Sequence, residues 1–85
     1  MIIFDSMKID FKNLVIGWNA EHPDNRITQR SLAGEMVREG VLGTIDSAVN
    51  MMQYHSSGKA KSVDYEMLLF LERRFNKTFD QIVQH

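Results

Sequence analysis

Apolar residues recur at helical spacing in successive segments of this chain, and residues able to cap a helix precede them. Phe11, Leu14, Val15 and Trp18 fall at i, i+3, i+4 and i+7, which is one face of a helix. Asp10 stands in front of them as an N-cap, and Ile9 and Leu14 have the spacing of a hydrophobic staple. Leu32, Ala33, Met36 and Val37 form a second stripe behind Thr28, with Ile27 and Leu32 at staple spacing and Gly40 as the stop. Ile45, Ala48, Val49 and Met52 form a third. A chain written this way is expected to fold as helices packed through their stripes.

The remaining punctuation completes the expectation. Helix one is predicted over residues 11–20, and the stretch His22-Pro23-Asp24-Asn25 turns the chain. Gly17 inside that helix predicts a close helix contact, because glycine otherwise costs about 1 kcal/mol against alanine. Helix three is predicted over 44–55, stopped by Ser56-Ser57-Gly58. Helix four runs to Phe75, capped by Ser62 or Asp64; with Met67, Leu68, Leu69, Phe70 and Leu71 it is apolar over more than half its circumference and is expected to be the central buried helix. Asn76 is its stop. Thr78 and Gln81 have capping-box spacing for a short fifth helix that turns Phe79, Ile82 and Val83 inward. The expected fold is an all-α, compact five-helix bundle, one domain spanning 1–85. Residues 1–7 are open between a short strand at Ile2-Ile3-Phe4, a hydrophobic arm and a loose end.

Composition excludes several classes. With 44% hydrophobic and 25% charged residues, the chain has the balance of a soluble globule. No apolar run reaches the roughly 20 residues of a membrane helix, and Ile2-Ile3-Phe4 is too short for a signal core. The absence of cysteine removes disulfides and thiolate metal sites and points to a cytoplasmic setting. His22, His55 and His85 lie in different segments, without the i, i+4 partners of a metal site. No nucleophile elbow or phosphate loop is present. Neither enzyme chemistry nor a metal or cofactor is therefore expected.

The net charge is −1, but it is unevenly spread. Arg26, Arg30, Arg38, Lys59 and Lys61 against Glu35, Glu39 and Asp46 leave residues 26–61 at +2, while both flanks are negative. That basic segment holds the third helix, whose polar face carries Ser47, Asn50, Gln53 and Tyr54. Amide side chains on a short helix suit adenine edges in the major groove, and Tyr54 suits a phosphate or a thymine methyl. Thr28, Gln29 and Arg30 occupy a helix N-terminus, where free N–H groups favour phosphate. Each group also has a plainer reading: a solvated first turn, an exposed polar face, or an ordinary basic turn at Lys59 and Lys61. Asp46 opposes phosphate unless it faces a cytosine amine or caps the helix.

The order of these elements resembles the Cro and phage-repressor (lambda-repressor-like, XRE-like) type of helix-turn-helix domain. The residues that carry the resemblance are Thr28-Gln29-Arg30-Ser31-Leu32-Ala33, then Gly58-Lys59-Ala60-Lys61, the leucine-rich segment from Asp64 to Phe75, and Phe79-Asp80-Gln81-Ile82-Val83. It covers roughly residues 8–84 and implies five helices, with the motif in helices two and three. It also implies phosphate contacts at Gln29, Lys59 and Lys61. Between Thr28 and Gly58 the chain is longer than the family pattern by on the order of two helical turns, so base-reading residues follow from the helical face alone. The resemblance implies sequence-specific binding of double-stranded DNA by a transcriptional regulator or repressor of prokaryotic or mobile-element type, acting as a homodimer. The alternative is a protein–protein interaction module on a degenerate helix-turn-helix bundle. A contiguous positive face around Arg30, Asn50, Gln53 and Lys59 favours the first; interleaved acid or an exposed apolar patch favours the second.

Overall fold

Helix boundaries in the computed structural model follow the caps. The structure describes residues 2–3, 8–60 and 62–84; Lys61 and Phe4 lie outside them. Asp10 accepts from the Asn13 N–H at 3.0 Å and opens α1 (Phe11–Glu21). Thr28 accepts from Ser31 N–H at 3.0 Å and opens α2 (Gln29–Arg38), while the Ser31 hydroxyl accepts from Thr28 N–H at 2.8 Å. Thr44 plays the same part for α3 (Ile45–Ser56). Asp64, rather than Ser62, caps α4 (Tyr65–Phe75). In α5 (Phe79–Ile82) the Gln81 side chain returns to Thr78 N–H at 2.9 Å. Each cap satisfies backbone donors that a helix start otherwise leaves without partners.

The stops are equally local. Gly40 adopts φ 75° after α2. Its N–H donates to Val37, and Val41 N–H donates to Met36 at 2.9 Å. This is a Schellman stop, which requires the left-handed conformation that glycine adopts without penalty. Asn76 takes the left-handed region after α4 (φ 53°). The connection between α2 and α3 is therefore a true loop, residues 39–44.

The fold is an all-α bundle of five helices, with two small additions. Strand β1 (Ile2–Ile3) pairs antiparallel with β3 (Ser62–Val63). Strand β2 (Lys8–Ile9) pairs antiparallel with β4 (Val83–Gln84), placing Ile9 opposite Val83. Of the three possibilities left for Ile2-Ile3, the strand is the one formed. Val83 does turn inward, but from β4 and not from the fifth helix. The helical period carries no signal for such two-residue pairings, which depend on bringing distant segments together.

The core draws on every helix: Phe11, Leu32, Ala33, Met36, Ala48, Met52, Leu71 and Ile82 are all buried. Packing between α2 and α3 is the most extensive, and Ala33 and Ala48 allow that approach. Ser56 ties α3 to the start of α1. Its hydroxyl accepts from Phe11 N–H at 3.2 Å and donates to the Ile9 carbonyl at 3.1 Å.

Several expectations are corrected here. Gly17 is exposed, and a Cβ there would meet nothing within 4 Å. Among the described residues no helix packs against it, so Gly17→Ala is expected to raise stability by about 1 kcal/mol, read as a higher urea midpoint at unchanged slope. Ile45 and Leu69 are 38% and 42% exposed: Ile45 opens α3, and Leu69 lies on the face of α4 opposite buried Met67 and Leu71.

The start of α2 is held by the loop before it. Asn19 bonds both the N–H and the carbonyl of Ile27, at 2.7 and 2.9 Å. Trp18 Nε1 donates to the Asn25 carbonyl at 2.8 Å and its ring stacks on His22. The Arg74 guanidinium lies over Trp18 and pairs through two hydrogen bonds with Glu35 on α2. These contacts fix where Thr28, Gln29 and Arg30 sit relative to α1 and α4.

Candidate nucleic-acid interface

An α-helix advances about 100° per residue, so Asp46, Ser47, Asn50, Gln53 and Tyr54 share an arc of about 120° on α3. All five are exposed. The opposite arc carries Ala48, Met52 and His55, all buried. The polar face expected from the sequence is therefore on the outside of the bundle, with Tyr54 half accessible at 50%.

The amides on this face differ from others in the chain. Asn13, Asn19 and Gln81 spend their side chains on caps or loop closure. Neither Asn50 nor Gln53 makes a side-chain hydrogen bond to any described residue. Their donors and acceptors remain available in the pattern that pairs with an adenine edge. Ser47 is less available, since its hydroxyl accepts from Thr44 at 2.9 Å.

Cationic groups stand at both ends of the face. Arg30, on the first turn of α2, approaches the Asp46 carboxylate at 4.0 Å, which brings the α2 start beside the α3 start. Lys59 follows the left-handed Gly58 just beyond the other end of α3 and is exposed. The twelve residues of α3 span about 18 Å, so the two cations bracket the amides. Gln29 is exposed beside Arg30. Thr28 holds its place mainly as the cap, its hydroxyl already occupied by Ser31. Lys61, expected as a further phosphate contact, lies outside the described residues.

Asp46 is the discordant group. Thr44 caps the helix, so Asp46 does not; it sits in the first turn, where the helix dipole favours a carboxylate. Both partners of the Arg30–Asp46 pair are well exposed, and such a pair holds little energy in water. Arg30 is therefore free to exchange Asp46 for a phosphate.

His55 was visible in the sequence only as an isolated histidine outside any metal pattern. It is 2% exposed and lies on the buried arc of α3 with Ala48 and Met52. The i, i+4, i+7 spacing of these three residues is the signal that places it there. Its Nδ1 is the buried side-chain polar atom left without a hydrogen-bond partner among the described residues. Desolvation lowers its pKa from 6.5. The folded protein thus keeps His55 neutral where the unfolded chain already takes up a proton. The stability held by this group is fully present above pH 6.5 and is lost as the pH falls below it, down to the depressed folded value. Urea unfolding between pH 8 and pH 5 is expected to show that decline, at no more than about 1.4 kcal/mol per pH unit from this residue. The decline should flatten in His55→Phe.

Among the described residues no three His, Asp or Glu side chains come together as a metal shell, and no helix is long and apolar enough to cross a membrane. Neither a family model, a curated protein nor a solved structure matches this chain. The class that this fold and face define is a small all-α bundle with an exposed amide face on its third helix.

Proposed function

We propose that the protein binds double-stranded DNA in a sequence-specific manner, as a cytoplasmic transcriptional regulator of repressor type. The carrying observation is the exposed α3 face, on which the side chains of Asn50 and Gln53 have no hydrogen-bond partner among the described residues and which Arg30 and Lys59 bracket. With α3 in the major groove, Asn50 and Gln53 read base edges, with Ser47 and Tyr54 at the margins. Gln29, Arg30 and Lys59 hold phosphates and set the register. A face this short reads few base pairs, so useful specificity calls for two copies on a two-fold site.

Phosphate binding releases counterions, and affinity falls with salt in proportion to the number of contacts. Fluorescence anisotropy with a random-sequence duplex is expected to show weak binding that weakens steeply as salt is added. Arg30→Ala combined with Lys59→Ala should flatten the log–log slope by roughly two phosphate equivalents. An unchanged slope would remove both cations from the interface.

Asp46 favours a second reading. An exposed acid interleaved with the basic groups suits a protein partner better than a polyanion. On that reading the bundle is an interaction module, and no duplex binding occurs even at low salt.

A further inference from the structure

Five large apolar or aromatic side chains stand exposed among the described residues: Ile16, Ile45, Tyr54, Tyr65 and Leu69. Ile16 is the single one on α1, and Ile45 and Tyr54 project from opposite sides of α3. Tyr65 and Leu69, one turn apart, share a face of α4. Leu69 stands at the centre of that face. Counted around the helix from it, Tyr65 lies about 40° to one side with Glu72 about 20° beyond, and Arg73 about 40° to the other side with Glu66 about 20° beyond. On the Arg73 side a depression of about 350 Å³ separates α4 from Glu39 and Val41, with Leu69 and Phe70 as its remaining apolar walls.

The polar groups of this face are uncommitted within the chain. The Glu66 and Glu72 carboxylates and the Tyr65 hydroxyl make no hydrogen bond or ion pair with a described residue. Arg73 approaches Glu39 at 3.7 Å, but both are well exposed, and such a pair holds little energy in water.

We propose that this face binds the same face of a second copy, with the two α4 helices antiparallel about a two-fold axis at Leu69. The selecting observation is the placement of opposite charges on one flank of Leu69, Arg73 about 6 Å along the helix in one direction and Glu66 about 4.5 Å in the other. A two-fold axis perpendicular to the helices reverses direction along them and leaves each flank on its own side. Arg73 therefore meets Glu66 of the second copy, Tyr65 offers its hydroxyl to Glu72 of the second copy, and Leu69 packs on Leu69. Each polar contact occurs twice, and the antiparallel helix dipoles agree with the arrangement. The helix is about 16 Å long, so the contact belongs with small, transient interfaces. The dimer surface stands without the DNA reading. That it supplies the two copies needed on a two-fold site rests on that reading.

Sedimentation velocity of the full chain, without DNA, is expected to show a monomer–dimer equilibrium with a Kd on the order of 100 µM. Arg73→Glu alone and Glu66→Arg alone each set like charges together twice, and each should raise the Kd at least about tenfold. Mixed in equal amounts, the two variants should recover a dimer of near wild-type affinity, because both cross-axis pairs are then complementary. That recovery also shows that both variants are folded. A wild-type chain that stays monomeric to about 1 mM, a Glu66→Arg chain that dimerises as the wild type does, or a mixture that stays monomeric would overturn the proposal. DNA binding can fail in the anisotropy experiment without altering any of these outcomes.

Discussion

Replacing Asn50 and Gln53 together by alanine is expected to weaken binding to a selected operator by about 2–6 kcal/mol, from roughly 1–3 kcal/mol for each base contact. Stability should hold or rise slightly. Both residues are exposed, neither side chain is bonded to a described residue, and alanine is the better helix former. The decisive comparison sets specific against random-sequence affinity in the same salt, beside a urea curve for each variant. Phosphate contacts are untouched, so binding to random sequence should remain. A variant that loses specific and random binding equally would assign these amides to general anchoring. A variant that unfolds would place them in the core, contrary to their exposure.

Phe11→Ala is expected to cost about 3–5 kcal/mol of stability, the range for emptying a buried aromatic site. Phe11 is 0% exposed, and its N–H is bonded to Ser56 at the point where α1, β2 and α3 meet. A domain of this size has on the order of 5–15 kcal/mol in total, so the variant should melt tens of degrees lower or fail to fold at 37 °C. Thermal unfolding followed by far-UV circular dichroism reads this directly. A loss under about 1 kcal/mol would mean that the start of α1 does not close the core as described.

Much of the fold was legible because helix signals are local. Asp10, Thr28 and Thr78 mark helix starts through bonds reaching only three residues ahead, and Gly40 and Asn76 mark stops through their own backbone conformation. Exposure of Asn50 and Gln53 followed from the same periodicity. Gly17 misled, since a helix glycine has two explanations, a close neighbour or no function in packing, and only coordinates separate them. Ile45 and Leu69 are exposed although both are apolar, since residue type alone does not say how far a neighbour reaches around a helix.

The helices, their caps and the sidedness of α3 follow from local signals, because each depends on residues within one or two turns. The other features come from the packing of distant segments. That packing pairs Ile2–Ile3 with Ser62–Val63 and Ile9 with Val83, sets Arg30 against Asp46, and buries His55. Those contacts join residues far apart in the chain. Their free energy depends on how whole helices settle against one another, and no short stretch of sequence carries that information.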